Sequence, residues 1–403
     1  MLTLQQIKDA AENLRAQVRH TELIHSPYYS SHLGVPLYFK CENLQHTGAC
    51  KIRGAYHYLS QLSPPQLAAG VITASTGNHA LGLARAAQLF DSPCRVIMPE
   101  GTPLAKELAT LEYAAEVELY GTDLDTAVNR ARELAEEQEL LYIPTFDHEL
   151  LMAGQGTIGL EILQDLPELE TLIVPIGGGG LIAGVATAVC ELKPSVRVIG
   201  VEAASIASAQ LARRKGHPAK VANGCHSLAD GIAVSQVGEL TFPLMERYVE
   251  EIVSVEEEEI AMAVVDLMER GKLVVEGAGA VGLAAVLHGL KPIHRGPTVC
   301  LLSGGNLNMQ EMSRVVERGM HAEGRYLRLR LEMIDMPGAL AQLTGVLSRL
   351  GANIFQVSHD RLKSSLPLGE AEVILELETR GPTHIQRLLL ILEEEGYRPE
   401  VLH

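Results

Sequence analysis

The stretch LIVPIGGGGLIAGVA, residues 172–186, decides the class of fold. Its apolar run, Leu172–Ile176, predicts a strand buried on both faces, as in a parallel sheet. Four glycines, Gly177–Gly180, separate that strand from a helical pattern that begins at Leu181. Successive glycine N–H groups at a helix N-terminus can enclose an anion, and a simple tight turn would not need four of them. The stretch lacks the Lys-Ser/Thr of a P-loop and does not fit GxGxxG, which favours a phosphate site other than that of a nucleotide.

Similar apolar runs alternate with helical patterns from about residue 35 to residue 305. The predicted strands are Leu37–Lys40, Val71–Ala74, Arg95–Met98, Glu116–Leu119, Leu172–Ile176, Arg197–Val201 and Thr298–Leu302. The helical stretches between them include Leu81–Phe90, Asp123–Gln138 and Ile182–Leu192. Strands separated by helices imply βαβ units and an α/β fold, with helices on both faces of a parallel sheet. Because ligands bind at the carboxyl ends of such strands, the loops that follow strands are the candidate sites.

One candidate is Lys51, in the segment QHTGACKIRGA (residues 45–55), where a loop of small residues opens a helix. A lysine that is partly desolvated near a helix N-terminus holds its proton less tightly. Such an amine can form a Schiff base with an aldehyde cofactor. Taken alone, a lysine is more often a solvated surface residue, so Lys51 gains weight only from the other loops.

A second loop, STGNHA (residues 75–80), follows the strand Val71–Ala74 and precedes the helix predicted from near Leu81. Gly77 lets the backbone approach a ligand closely, and the helix N-terminus offers free N–H groups to an anion such as an amino-acid carboxylate. Asn78 can donate a hydrogen bond to a phenolate oxygen of a cofactor. In the alternative interpretation, Ser75 is a simple N-cap and His79 packs inside the helix.

Two further candidates lie near the end of the α/β region. Ser303, in SGGN (residues 303–306), follows the run Thr298–Leu302 and could hydrogen-bond a pyridine nitrogen. A hydroxyl keeps that nitrogen largely unprotonated, which weakens the ring as an electron sink and favours fast β-elimination. A turn before a helix is the alternative. Glu276, in EGAGA (residues 276–280), is either a carboxylate near the cofactor or a helix cap.

Composition limits the possible functions of the 403 residues. The formal net charge of −17 argues against nucleic acids and anionic membranes as partners, and no window approaches a membrane span. The N-terminal segment predicts a helix with a capping box of Thr3 and Gln6 rather than a targeting sequence. The six cysteines show neither a CxxC pair nor metal-ligand spacing, so we expect no metal site, no disulfide framework and a cytoplasmic location. The cysteines are Cys41, Cys50, Cys94, Cys190, Cys225 and Cys300.

A different pattern begins near residue 320. It comprises an alternating strand, the turn DMPG (residues 335–338), an amphipathic helix, a second strand from Ile354, a third strand and a second helix. The regular stretches are Tyr326–Glu332, Ala339–Leu350, Glu370–Glu378 and Thr383–Glu395. This order predicts the β-α-β-β-α-β pattern of a ferredoxin-like domain over residues 326–403.

Taken together, the loops resemble those of fold-type II pyridoxal-phosphate (PLP) enzymes, above all the threonine and serine dehydratases and their relatives the serine racemases. The resemblance covers roughly residues 5–320. It is carried by KIRGA (51–55), STGNHA (75–80), the tetraglycine, DGIAV (230–234), EGAGA (276–280) and SGGN (303–306). It implies a two-lobed α/β catalytic domain over residues 1–320, similar to tryptophan synthase β, with a smaller lobe of about residues 50–150 inserted in the larger. The remaining residues resemble an ACT domain, an amino-acid-binding regulatory module.

The resemblance also implies roles for individual residues. Lys51 forms the internal aldimine and moves protons during the conversion of L-threonine to 2-oxobutanoate and ammonia, and of L-serine to pyruvate. Asn78 contacts the ring oxygen and Ser303 the ring nitrogen, with Glu276 in support. The phosphate is held by Gly177, Gly178, Gly179, Gly180 and Leu181, and the substrate by Ser75, Thr76, Gly77 and His79. In a homodimer or homotetramer, Gly338 and Asn353 contribute to an amino-acid effector site.

The sequence departs from the family pattern at two positions. Relatives have Ser-Phe before the lysine where this chain has Ala49-Cys50, and the lost ring surrenders stacking worth about 0.5–1.5 kcal/mol. Thr76 stands where most dehydratases have Ala and where serine racemase places a hydroxyl acid/base. Serine racemase, to which Thr76 points, and hydroxyaspartate dehydratase are alternatives that keep the same site and differ in substrate, and a non-catalytic amino-acid sensor is a third. The intact Lys51, tetraglycine and Ser303 argue against the sensor. Only Glu202 offers a carboxylate for the relatives' divalent-cation site.

Overall fold

The computed structural model describes residues 1–221, 227–289, 296–361 and 367–402. The chain folds into two compact units, Met1–Met312 and Ser313–His403. The division between them falls within one helix, Met309–Ala322, whereas the sequence pattern changes only near residue 320, where that helix ends.

Strands and helices alternate along most of the first unit. Its strands are β1 (Leu23–His25), β2 (Leu37–Cys41), β3 (Val71–Ala74), β4 (Cys94–Met98), β5 (Glu116–Leu119), β6 (Leu141–Tyr142), β7 (Thr171–Pro175), β8 (Arg197–Ala203), β9 (Glu251–Val255) and β10 (Thr298–Leu302). Its helices are α1 (Leu4–Leu14), α2 (Pro27–Leu33), α3 (Lys51–Ser60), α4 (Pro64–Ala69), α5 (Asn78–Leu89), α6 (Leu104–Leu111), α7 (Leu124–Glu137), α8 (Glu149–Asp165), α9 (Gly180–Leu192), α10 (Ser208–Lys215), α11 (Thr241–Tyr248), α12 (Glu257–Asp266) and α13 (Gly277–Ala284), and α14 (Met309–Ala322) crosses into the second unit.

Two parallel sheets organise this unit. The larger has the order β1-β2-β10-β7-β8-β9, in which every pairing is parallel except that of β1 with β2. The smaller, β5-β4-β3-β6, is entirely parallel, and its strands lie between β2 and β7 in the sequence. All residues of β3, β7 and β10 are buried, as their uninterrupted apolar runs predict. The α/β prediction is confirmed.

The sequence-based boundaries are wrong in several places. Helix α5 begins at Asn78, three residues before the predicted start, because Gly77 rather than Ser75 occupies the N-cap position. Strand β9 was not predicted. It extends through Val255, and a capping box of Glu256 and Glu259 follows it at the start of α12.

Glycines allow the helices α3, α8 and α9 to pack closely against one another. A Cβ at Gly156 of α8 would lie 2.9 Å from the carbonyl oxygen of Gly184 in α9. A Cβ at Gly54 of α3 would lie 2.9 Å from the carbonyl oxygen of Leu151, also in α8. Real Cβ atoms do not approach other atoms this closely, so larger residues would push the helices apart. Since α3 starts at Lys51, this packing fixes the position of that lysine.

The second unit has the predicted β-α-β-β-α-β order of a ferredoxin-like domain. Its elements are β11 (Tyr326–Ile334), α15 (Ala339–Leu350), β12 (Asn353–Asp360), β13 (Glu370–Glu378), α16 (Pro382–Glu394) and β14 (Glu400–Leu402). All pairings in its sheet, β12-β13-β11-β14, are antiparallel. Leu327, Leu329 and Leu331 alternate along β11 and are buried, which gives the sheet one apolar face.

Within the described ranges, no helix combines the length and apolarity that crossing a membrane requires. Five cysteines there are free thiols, and Cys225 lies outside the described residues. No group of three or more His, Cys, Asp or Glu side chains in the same ranges could hold a metal ion. The Glu202 carboxylate instead accepts hydrogen bonds from the backbone N–H groups of Ala209 (2.9 Å) and Gln210 (3.1 Å), at the start of α10.

Candidate active site

One cavity in the first unit brings together every residue of that unit predicted to bind cofactor or substrate. The residues are Lys51, Ser75, Thr76, Gly77, Asn78, His79, Gly177, Gly178, Gly179, Gly180, Leu181, Glu276 and Ser303. They come from five segments that are far apart in sequence. Four of the segments follow strands β2, β3, β7 and β10 of the two sheets, as the carboxyl-end rule predicts, and the fifth, with Glu276, precedes α13.

Lys51 is the first residue of α3 and is partly buried. Its Nζ donates a hydrogen bond to the carbonyl oxygen of Thr145 over 3.3 Å. Burial lowers the pKa of the Lys51 ammonium, and the nearby Cys50 and Glu276 only partly oppose this shift. A lysine whose pKa is lowered is more often the neutral amine, which is the nucleophilic form.

The tetraglycine loop forms a tight cradle at the start of α9. Gly179 has φ of 92°, the left-handed region that side chains rarely adopt. A Cβ at Gly178 would overlap the ring of Phe146, and one at Gly177 would lie 3.0 Å from Cα of Ile232. The loop therefore accepts only glycine at these positions. Its N–H groups and the N-terminus of α9 suit a phosphate group.

Asn78 is oriented by two neighbouring side chains. Its Nδ2 donates to Oε1 of Glu276 over 2.5 Å, and its Oδ1 accepts from Nδ2 of Asn306 over 2.8 Å. The other Nδ2 proton of Asn306 goes to the carbonyl oxygen of Thr47, also over 2.8 Å. Because Asn306 donates to Asn78, the acceptor atom of Asn78 must be its amide oxygen, Oδ1. The amide nitrogen then uses one of its two N–H groups on Glu276 and has the other left to donate to a ligand in the cavity.

The Glu276 carboxyl lies among the cavity residues but its chemistry differs from that of a surface glutamate. Glu276 occupies the N-cap position of α13, yet its side chain makes no capping hydrogen bond. Burial, with the nearby Asp230 charge, raises the pKa of Glu276 to about 7. Glu276 therefore supports Asn78 rather than capping the helix, and it can hold or release a proton near neutral pH.

His79 is buried in the first turn of α5. Burial and the positive charge of Lys51 lower the pKa of His79 to about 3, so the ring is neutral. The ring hydrogen-bonds to the backbone carbonyl of Ile143, while its Nε2 has no partner. Oε1 of Gln155 likewise has none, and both residues line a small cavity beside Lys51. Buried polar atoms without partners indicate a place for a ligand atom or an ordered water.

Two serines present hydroxyls to the cavity. Ser303 is buried, and its Oγ makes only a long contact of 3.5 Å with the carbonyl oxygen of Ala278. It is thus available to bind a ring nitrogen. Oγ of Ser75 accepts a hydrogen bond from the N–H of Gly77 over 3.3 Å, which shapes the loop before α5. Ser75 is not the N-cap of that helix, so the alternative interpretation of this serine is wrong.

The Ala49-Cys50 pair stands beside Lys51 without adding a reactive group. Burial raises the pKa of the Cys50 thiol to about 12, so it stays protonated at neutral pH. Ala49 forms an isolated antiparallel bridge with Gly304, which ties the lysine loop to the loop of Ser303. The pair is a small apolar lining next to the amine.

The sequence interpretation missed several cavity residues. Lys106 of α6 is one of them, and at the cavity it forms an ion pair of 2.5 Å with Asp230, the first residue of the DGIAV motif. Thr145 and Phe146 follow β6, which is only two residues long and has a weak strand signal. Gln155 lies on α8, a helix buried on nearly all sides that therefore lacks amphipathic periodicity. No local sequence signal distinguishes these residues from ordinary surface or core positions.

A lysine of lowered pKa beside a four-glycine anion cradle is the arrangement of an enzyme that holds an aldehyde cofactor through its phosphate. The sequence model described as "pyridoxal-phosphate dependent enzyme" matches residues 14–304. The chain belongs to this family, and its cofactor is pyridoxal phosphate. The residues present fit that group: Gly177–Gly180 for the phosphate, Lys51 for the aldehyde, and Asn78 and Ser303 for the ring.

Relatives extend over the whole chain. The L-threonine ammonia-lyase of Geobacter sulfurreducens is 52% identical over 402 residues, and that of Thermotoga maritima is 42% identical over 403 residues; both alignments cover 100% of each chain. Among solved structures, the processed form of threonine deaminase isoform 2 from Solanum lycopersicum is 36% identical. It superposes with a TM-score of 0.73 over 78% of this chain and 87% of that chain.

Proposed function

We propose that this protein converts L-threonine to 2-oxobutanoate and ammonia, and L-serine to pyruvate and ammonia, under the control of an amino-acid effector. The observation that carries the proposal is the Lys51 amine, with its lowered pKa, in one cavity with the tetraglycine and Ser303. The two full-length relatives named L-threonine ammonia-lyase support the choice of substrate. A hydroxyl at the ring nitrogen also suits β-elimination, because a less charged ring is a weaker electron sink.

The chain's own residues divide the chemistry between them. Bound pyridoxal phosphate supplies an electron sink for the pair left at Cα when its proton departs. Lys51 takes that proton, since its amine is neutral more often than that of a surface lysine. The free N–H groups at the start of α5, beside Ser75 and Gly77, receive the substrate carboxylate. The substrate loses its β-hydroxyl as water, and hydrolysis of the released enamine consumes one water and yields the 2-oxo acid and ammonia.

A direct assay tests this activity. Purified full-length protein saturated with pyridoxal phosphate is expected to release 2-oxobutanoate and ammonia from L-threonine in equal amounts. The kcat of Lys51→Ala should be at least about a thousandfold lower than that of the wild type, because the group that moves the proton is gone. Asp9→Ala is the matched control, because Asp9 is exposed on α1 and is not a cavity residue. An active Lys51→Ala enzyme would contradict the proposal.

Racemisation of serine is a second candidate activity, favoured by the Thr76 hydroxyl in the cavity. A hydroxyl that can exchange a proton with Cα from the face opposite Lys51 would convert L-serine into D-serine. The discriminating measurement is the ratio of D-serine to pyruvate formed from L-serine, in the wild type and in Thr76→Ala. Dominant D-serine that disappears in Thr76→Ala would replace the dehydratase assignment. Pyruvate as the main product of both proteins would retain it.

The second unit is proposed to be an ACT domain that binds the effector where two copies of the chain meet in a homodimer or homotetramer. Its support is the ferredoxin-like order and two exposed features, Gly338 (φ 92°) at the N-terminus of α15 and Asn353 at the start of β12. The edge strand β12 also exposes Phe355 and Val357. Such an edge pairs readily with another strand.

Regulation is tested on the full chain. Threonine saturation curves would be recorded with each branched-chain amino acid added in turn. One of these amino acids should change the apparent affinity for threonine by about 5–150-fold. Asn353→Ala should abolish the shift and leave kcat without effector unchanged. Arg349→Ala, an exposed change on α15, serves as the control. If no amino acid shifts the curve, the proposed regulation is contradicted. If Asn353→Ala responds like the wild type, the effector site does not include Asn353.

A further inference from the structure

Lys106 and Asp230, which both line the cavity, form an ion pair. Lys106 comes from α6, between strands β4 and β5 of the smaller sheet, and Asp230 lies after β8 of the larger sheet. Nζ of Lys106 is 2.5 Å from Oδ2 of Asp230 and 3.6 Å from Oε1 of Glu311. Cδ of Lys106 would also be the nearest atom, at 3.9 Å, to a Cβ at Gly77. The lysine stem therefore lies against the loop proposed to bind the substrate carboxylate.

The charges at this point are unequal. The Lys106 side chain is 12% exposed, so its ammonium cannot turn freely into solvent, whereas Asp230 is 47% exposed and Glu311 31%. One ammonium thus faces two carboxylates within 4 Å, and the Glu276 carboxyl lies among the same cavity residues. The single positive charge of Lys106 is therefore outnumbered by the carboxylates that face it.

We propose that Asp230 is a specificity-determining residue that neutralises Lys106 and so excludes amino acids with a second carboxylate from the cavity. The inference rests on the proposed function and names the substrate class of that site: β-hydroxy amino acids with an uncharged side chain. A second carboxylate that approaches Lys106 meets the charges of Asp230 and Glu311, and like charges repel each other. Without the Asp230 charge, Lys106 keeps only the longer contact of 3.6 Å with Glu311, and its ammonium can bind such a group.

The test compares two substrates that differ in one group. L-threo-3-hydroxyaspartate carries a carboxylate where L-threonine carries a methyl, and both lose the same hydroxyl to give 2-oxo acids. In Asp230→Asn, the ratio of kcat/KM for hydroxyaspartate to that for threonine should rise at least about tenfold. In Asp230→Asn combined with Lys106→Gln, the ratio should return to within about twofold of the wild type, because the liberated cation is gone.

Binding provides a second measurement that needs no turnover. L-Aspartate and L-asparagine are nearly equal in size, differ in charge and lack a β-hydroxyl. Calorimetric titration of the PLP-loaded protein should show that Asp230→Asn raises the affinity for aspartate relative to asparagine about tenfold. A wild type that binds aspartate and asparagine but forms no 2-oxobutanoate from threonine would contradict the proposed function without contradicting the role of Asp230. Unchanged ratios in Asp230→Asn, or ratios that stay raised in the double variant, would overturn the role of Asp230.

Discussion

Asn78 and Glu276 are 198 positions apart in the chain and are joined by a hydrogen bond of 2.5 Å between Nδ2 and Oε1. Asn78 starts α5, which follows β3 of the smaller sheet, and Glu276 precedes α13, which comes before β10 of the larger sheet. The bond therefore fixes the orientation of a cavity amide between segments associated with the two sheets. It also places a carboxyl of raised pKa beside the proposed ring-oxygen contact. Changes at either partner should affect both stability and cofactor binding.

Glu276→Gln should change how stability depends on pH. The folded protein holds the Glu276 proton up to about pH 7, whereas the unfolded chain releases it near 4.5. Between these values the folded state binds more protons, so the wild type loses stability as pH rises, by roughly 3 kcal/mol if the shift is complete. Glutamine carries no such proton and should remove this loss. The free energy of unfolding of both cofactor-free proteins would be measured with urea at pH 5 and pH 7.5. The same change between the two pH values in the wild type and in Glu276→Gln would contradict the raised pKa of Glu276.

Gly178→Ala should weaken cofactor binding. The added Cβ would overlap the Phe146 ring and force the cradle open. We expect at least a tenfold higher Kd for pyridoxal phosphate, measured by titration of cofactor-free protein. Gly101→Ala is the matched control, because a Cβ there meets nothing within 4 Å. Equal affinities in the two variants would show that the tetraglycine does not hold the phosphate.

Asn306→Ala should act through Asn78. The substitution removes the hydrogen bonds to Oδ1 of Asn78 and to the carbonyl oxygen of Thr47. Asn78 can then rotate, so we expect kcat/KM for threonine to fall about tenfold and the visible absorption of the bound cofactor to shift. Asn306→Asp keeps one acceptor but no donor, and should be no better than alanine. An unchanged spectrum with normal activity would exclude this positioning role.

Arg53 is expected to be required for stability. Its guanidinium is fully buried, binds Glu42 over 2.7 Å and binds Glu161 over 2.6 Å. Arg53→Met leaves the buried Glu42 carboxylate without its cation and leaves Glu161 with Lys40 alone. Breaking a buried pair in this way typically costs about 3–5 kcal/mol. Arg15→Met, whose pair with Glu12 is exposed, should cost about 0–1 kcal/mol. The free energies of unfolding of the two variants and the wild type would be measured with a chemical denaturant. If Arg53→Met lowered this free energy as little as Arg15→Met does, the buried network would contribute little to stability.

The sequence predicted those parts of the fold that have a local signal. Val71–Ala74 was predicted with its observed bounds, because an apolar run buried on both faces differs from its surroundings. Lys51, the tetraglycine and Ser303 were found because small residues between a strand and a helix are unusual. The start of α5 was missed, since Gly77 at the N-cap carries no side-chain cap.

Other features depend on contacts that a single sequence does not encode locally. Helix α8 has buried residues over most of its length, so its apolar pattern lacks the period of a surface helix. The Lys106–Asp230 pair joins residues 124 positions apart, and Lys106 lies in no distinctive local pattern, so the pairing of Asp230 with it could not be predicted. The raised pKa of Glu276 follows from burial, which only the folded structure shows.

Locating the cofactor on the chain tests the central claim most directly. Full-length protein loaded with pyridoxal phosphate would be reduced with borohydride, digested and mapped by mass spectrometry. The structure predicts one pyridoxyl label, on Lys51, which is absent from Lys51→Ala but present in a Gly101→Ala control. A label on another lysine of the wild type, or none on protein saturated with the cofactor, would contradict the assignment of this cavity as the active site.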